Sequence, residues 1–272
     1  MMAGLWRSEL LAGQPGLRHA MTMAGVNMSL TSGPDRTHAV ALRKALCDGL
    51  GLSFEKLTVA RQVHGCEVLP VEPEMVGAGR ESAEDAVAHV DGLCTDQVDV
   101  PLLGLSADCP LVLLYDPEVP AVGIAHAGWR GAIAGIASRL VEQMQTSFRV
   151  RASRMWAAVA PSAGPCCYEV RIDVERVVRA RWPDPKRYLH ARDGRTYLDL
   201  WSINRDQLVA CGVPFDQVDV AGMCTICDHR FCSFRRDGKA TRFAGLVAGL
   251  ASAAEVSPRS SRHGGSVTPS RG

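Results

Sequence analysis

Two short apolar runs end on groups that suit catalysis. Residues 104–115 read Gly-Leu-Ser-Ala-Asp-Cys-Pro-Leu-Val-Leu-Leu-Tyr and present Asp108 and Cys109. Residues 121–131 read Ala-Val-Gly-Ile-Ala-His-Ala-Gly-Trp-Arg-Gly, an apolar run that ends on His126 before a Trp-Arg turn. Each run is short enough for a buried strand. A second imidazole, His64, stands in Arg61-Gln62-Val63-His64-Gly65, where the glycine lets backbone or ligand come close. Taken singly, His64 and Cys109 are more often structural, and none of the three is decisive. Together, two histidines and a cysteine are three protein ligands of the type catalytic zinc uses, with a fourth position open to water or substrate. Zinc would lower the pKa of its water from about 15.7 to about 7. It would also hold Cys109 as thiolate. Asp108 is the candidate proton shuttle beside it. The three ligands are far apart in the chain, so only the fold can assemble them.

The same residues admit other chemistry. A His2Cys set also suits copper, but the eight histidines are scattered and no His-x-His occurs. Without metal, Cys109 as nucleophile with His64 or His126 as base, oriented by Asp108, makes a Cys-His hydrolase. Cys224-Thr-Ile-Cys227-Asp-His229-Arg-Phe-Cys232 invites a structural zinc reading, but no matching second pair lies downstream. Cys166-Cys167 is a vicinal pair whose default role is packing or lining a pocket. Arg130 and Arg236 are candidate phosphate contacts, bidentate by geometry, with a helix N-terminus behind Arg130. Arg235 is a weaker candidate.

Several elements must position these groups. Helical spacing marks residues 39–50, 130–147, 173–182 and 201–211, and a final helix is expected over 240–253. Strands are expected at 57–63 and 68–71, forming a hairpin around His64-Gly65, and at 90–95, 100–105, 155–159, 196–200 and 218–221. Asp116-Pro117-Glu118 is the turn between the two opening runs. Residues 72–89 read as a surface excursion. The order mixes hairpins with helices, which argues for an α+β (mixed α/β) domain with mixed β-sheets and flanking helices. Residues 1–20 read as a lead-in, 21–255 as one catalytic domain, and 256–272, with His263, as a disordered tail.

A chain of 272 residues with 47% hydrophobic and 22% charged residues can bury a sizeable core. A net charge of +1 gives no field for nucleic acid, so a small ligand is expected. No export signal or membrane span is evident, so the ten cysteines are expected to be reduced in the cytoplasm.

Six blocks resemble the YfiH / laccase-domain family. They are Gln62-Val63-His64-Gly65, Ala107-Asp108-Cys109, His126-Ala-Gly-Trp-Arg-Gly131, Gly164-Pro-Cys-Cys-Tyr-Glu-Val170, Leu198-Asp-Leu200 with Asn204 and Gln207-Leu208, and Cys224-Thr225 with Phe231, Ser233, Arg235 and Arg236. The likeness spans roughly residues 20–250. Members of this family, once labelled multicopper polyphenol oxidases, are regarded as purine nucleoside phosphorylases with adenosine deaminase activity. The resemblance implies zinc on His64, Cys109 and His126, an α/β/β/α-type fold, and a monomeric or weakly dimeric cytosolic enzyme. It implies adenosine, inosine and methylthioadenosine as substrates alongside phosphate. Some relatives are discussed as peptidoglycan-editing factors, which would suit the hydrolase alternative, acting on amide bonds of peptidoglycan precursors. The departures lie outside the metal triad. Residues 23–31 form a shorter loop with Met where the family has Arg. Leu42-Arg43 stands for Asn-Arg, Ala160-Pro161 for Gly-Pro, Arg171 for Gly, and Ala240-Thr241-Arg242 for Thr-Gly-Arg.

Overall fold

A computed structural model describes residues 4–32, 35–238 and 242–249. Two six-stranded sheets lie face to face with helices on both outer sides. The first sheet runs β1 (Leu5–Trp6), β2 (Leu17–Thr22), β15 (Phe243–Gly249), β7 (Leu102–Ser106), β3 (Thr58–Arg61), β5 (Val87–Ala88). The second runs β14 (Val218–Val220), β10 (Trp156–Val159), β8 (Leu111–Asp116), β9 (Ala121–His126), β6 (Gly92–Thr95), β4 (Val68–Pro70). A small antiparallel sheet joins β11 (Glu169–Val170), β13 (Arg195–Leu198) and β12 (Leu189–Arg192). Parallel and antiparallel pairs occur within each large sheet, so the mixed α+β expectation holds.

The apolar runs are continuous because β8 and β9 are buried along their whole length. Leu113 and Tyr115 of β8, with Val122 and Ile124 of β9, face the first sheet at Leu102 and Val247. Val112, Leu114, Ala121 and Ala125 face the other way, against Ile136, Leu140, Val141 and Met144 of α4 (Ile136–Phe148). Burying each large aliphatic side chain contributes about 1.5–3 kcal/mol before ordering entropy is subtracted. On the far side, Leu46, Cys47 and Leu50 of α2 (Arg36–Leu50) cover Leu103, Ala244 and Leu246. Asp35 caps α2 by accepting from the His38 N–H at 2.9 Å, and Gly51, at φ 67°, ends it.

Four expectations are corrected. Residues 243–249 form β15, not a helix. The run Phe-Ala-Gly-Leu-Val-Ala-Gly is buried on both faces between β2 and β7, so its period of two is hidden. Strands β3 and β4 are not a hairpin. They belong to different sheets, and the His64-Gly65 segment crosses between them. The helix expected at 130–147 is two helices, α3 (Trp129–Ala134) and α4, broken at Gly135 with φ 97°. The lead-in supplies β1, α1 (Glu9–Ala12) and most of β2, anchored by buried Leu11 and Leu17. The tail at 256–272 and His263 lie outside the described residues. On β2, buried His19 accepts the Ser8 N–H at 3.0 Å, and burial pushes its pKa down to about 4.

Candidate metal centre and cleft

The register of β8 against β9 sets Leu111 opposite His126, and the Ala127 N–H closes onto the Pro110 carbonyl at 2.8 Å. That pairing holds the Cys109 turn beside His126. The third group arrives from the crossover between the sheets, where His64 takes a left-handed conformation at φ 60°. The ligand atoms of His64, Cys109 and His126 all lie within 4.8 Å of one another. The two imidazoles meet edge to face, centroids 4.9 Å apart at 86°. Gly128 closes the group: a Cβ there would stand 3.2 Å from the His64 ring and 3.3 Å from the Cys109 sulfur. The structure thus brings the three predicted ligands together. Two imidazoles and a thiol match zinc's donor preferences.

Asp91 is the residue that the sequence reading missed. It is buried, just before β6, and its carboxylate accepts the backbone N–H groups of Val63, His64 and Gly65 at 3.1, 3.0 and 2.7 Å. The same carboxylate meets His126 Nδ1 at 2.8 Å, and the Asp91 carbonyl accepts the His126 N–H at 2.7 Å. One side chain therefore holds His64 in its left-handed turn and orients His126, leaving Nε2 for the centre. The signal was present in Val90-Asp91-Gly92, a lone carboxylate at the mouth of an apolar strand, because ligating histidines usually have a carboxylate partner.

Burial opposes charge on Cys109, but His126 and His64 outweigh it and bring its pKa down to about 6. Burial likewise opposes the imidazolium of His126, yet the Cys109 thiolate and Asp91 raise it to about 9. Burial also works against the Asp91 carboxylate. Its hydrogen bonds from His126, Gly65 and Val63 prevail and hold its pKa below the usual value. Without metal, the trio is a thiolate–imidazolium–carboxylate chain.

Asp108, at φ 85°, accepts the Thr225 hydroxyl at 2.7 Å and the Arg235 N–H at 2.7 Å. Both oxygens are engaged, so its geometry serves to fix the turn that carries Cys109. Arg130 lies on the cleft wall, its guanidinium 4.3 Å over the Trp129 ring. Arg236 is not brought into the cleft. Its guanidinium donates to the carbonyls of Thr225 and Phe231 at 2.7 and 2.8 Å and to Asp237, binding the 225–231 loop together. Its neighbour Arg235 faces the cleft instead, over the Tyr168 ring at 5.0 Å. Backbone direction in the short helix Phe234–Asp237, capped by Ser233, decides which arginine points inward.

The cleft has a volume of about 580 Å³, ordinary for a small-molecule site. Arg43, Arg61, Arg130, Arg235 and Arg242 line it, against one carboxylate, Asp108. Arg43 is fully buried and donates to the Met28, Gly79 and Arg80 carbonyls at 2.9, 2.7 and 3.1 Å. Trp129, Tyr168 and Phe234 supply flat apolar surface. Burial, with Cys109 and Asp108 nearby, pushes the Tyr168 pKa up to about 12, so its hydroxyl stays a donor.

The chain belongs to the family described as multi-copper polyphenol oxidoreductase laccase, whose model matches residues 15–249. The purine nucleoside phosphorylase YlmD of Geobacillus stearothermophilus is 38% identical over 217 residues, 79% of each chain. A crystal structure of YlmD from that organism superposes with a TM-score of 0.84, covering 91% of this chain and 97% of the other at 33% identity. The adenosine deaminase RL5, from an unknown prokaryote, is 31% identical over 224 residues, 79% of this chain and 83% of its own. Despite the family's description, only one of the two metal-capable clusters among the described residues contains histidine, and it has two.

Proposed function

We propose that this protein is a zinc-dependent purine nucleoside phosphorylase that also deaminates adenosine. The observation carrying this reading is the convergence of His64, Cys109 and His126 at an arginine-rich cleft of nucleoside size. The names of the similar proteins support it. In phosphorolysis a phosphate oxygen forms a bond to ribose C1′ while the C1′–N9 bond breaks, giving ribose 1-phosphate and the purine. The chain must therefore hold a dianion beside the sugar and stabilise charge on the departing base. Arg130 and Arg235 grip the phosphate, and the buried Arg43 adds a fixed positive charge behind it. Trp129 and Phe234 sandwich or flank the base, and the protonated Tyr168 hydroxyl donates to it. His64, Cys109 and His126 would hold the zinc, which supplies Lewis acidity at the cleft floor and activation of water near neutral pH. Asp91 orients two of those ligands, and Asp108 positions the third. Adenosine, inosine and methylthioadenosine are the expected substrates, and the cytoplasm, where ten unpaired cysteines stay reduced, is the expected compartment.

The purified, zinc-loaded protein given adenosine and phosphate should release adenine and ribose 1-phosphate, and without phosphate should release inosine. Cys109→Ala should abolish both. Absence of both products from the zinc-loaded protein overturns the proposal. A second reading rests on the Asp91–His126–Cys109 chain, the geometry of a metal-free cysteine hydrolase acting on amide bonds of peptidoglycan precursors. Amide hydrolysis that survives strong chelation would favour it over the first.

A further inference from the structure

Four cysteines meet away from the cleft floor. Cys166 and Cys167 sit in the turn after Gly164-Pro165, and Cys224 and Cys227 bracket a second turn. Their sulfurs all lie within 4.8 Å of one another. Cys166 is 3.5 Å and Cys167 2.9 Å from the Cys227 sulfur, and all four are free thiols. The matching pair for Cys-x2-Cys therefore exists, but upstream and vicinal. Cys232 and His229 take no part; Cys232 packs instead with Phe231 and Phe243.

We propose that Cys166, Cys167, Cys224 and Cys227 form a second zinc site, structural in role, that staples the 164–168 turn to the 224–227 turn. A tetrahedral zinc with four thiolates at about 2.3 Å sets the sulfurs about 3.8 Å apart. The two Cys227 separations fall short of that edge, and every pair lies within 4.8 Å. Adjacent cysteines rarely face one point, but here the N–H groups of Cys167 and Tyr168 both fold back onto the Gly164 carbonyl, at 3.0 and 2.9 Å, and the tight turn turns both sulfurs the same way. The other half has the backbone of a thiolate ligand loop. The N–H of Gly164 reaches the Cys224 sulfur at 3.3 Å, and those of Ile226 and Cys227 also point to it. Sulfur that accepts several amide N–H bonds is prepared for charge. Two of the four thiols are exposed, a liability that metal binding removes. The two turns are already in register, through the Ser162–Cys224 bridge and the Thr225 N–H to the Ser162 carbonyl at 3.0 Å. They carry Tyr168 of the cleft wall and Thr225, which holds Asp108. Closing so long a loop with a metal restrains the unfolded chain most.

Metal analysis of protein isolated under reducing conditions without chelator tests this site separately from the first. The wild type should carry two zinc equivalents. Cys109→Ala should keep one, and the double variant Cys166→Ser, Cys227→Ser should also keep one. Cobalt-loaded Cys109→Ala should show the strong thiolate-to-metal absorption of a four-sulfur site, which the double variant lacks. The spectrum of Cys109→Ala stands even where the double variant does not fold. Zinc-free Cys109→Ala, iron in place of zinc, or an intact mass showing a disulfide at Cys167–Cys227 would overturn the proposal.

Discussion

Asp91 shows how much one buried carboxylate can hold. Replacing it with Asn preserves shape but turns one acceptor into a donor, so an N–H of Val63 or Gly65, or the buried His126 Nδ1, loses its partner. Leaving such a group unsatisfied costs about 1–3 kcal/mol. Loss of a ligand-orienting carboxylate weakens metal affinity by about 10–100-fold. Asp91→Asn should therefore lower the urea midpoint at pH 7 and lose zinc to a chromophoric chelator far more readily. Because the folded-state pKa of Asp91 lies below its ordinary value of 3.8, the wild type's margin is full above that value. It fades as the pH falls through the depressed folded value. The candidate triad itself was legible because His64, Cys109 and His126 each stand at an end of a short apolar run, and the family resemblance falls on the same three. Asp91 was not, since its role appears only when the crossover loop wraps its carboxylate. Choosing Arg236 over Arg235 failed for a related reason: adjacent arginines differ only in where a four-residue helix points them.

Among elements, α3 matters through what it omits. Gly131 lies against the Gly65 carbonyl, and a Cβ there would stand 2.4 Å from that oxygen. Alanine gains up to about 1 kcal/mol of helix propensity over glycine. A clash with backbone costs about 1–3 kcal/mol, because the carbonyl cannot rotate away as a side chain would. Gly131→Ala should thus be destabilising on balance and should displace the loop carrying His64, seen as weaker zinc binding with the Asp91–His126 pair intact. Most elements were legible from periodicity, as α2, α4, β8 and β9 show. The hidden case is β15, where burial on both faces erases alternation, although Gly245 and Gly249 argue against a helix. Nor does local pattern tell a hairpin from a crossover, so β3 and β4 were assigned to one sheet when they belong to two.

At the scale of the molecule, stability depends on a residue far from the cleft. His19 is neutral in the folded protein, with a pKa of about 4 against 6.5 when free. Its contribution is complete above pH 6.5 and is lost as the pH falls toward 4, a change of about 3 kcal/mol. Urea midpoints between pH 7.5 and 4.5 should drop accordingly, and His19→Gln should flatten that slope. The layered order of helix, sheet, sheet and helix was legible as a mixed α+β arrangement, while the membership of each sheet was not. That membership rests on pairings distant in sequence, which no local signal encodes.

The position of β15 also bears on how the protein is made. It is the only strand joining β2 to β7 in the first sheet, yet it is synthesised after every other described element. Until it leaves the ribosome, β2 has no neighbour but the two-residue β1, and the edge of β7 is bare. The nascent chain therefore carries two unpaired apolar edges until β15 pairs with both. The cleft, walled in part by that sheet, is completed only after β15 has emerged.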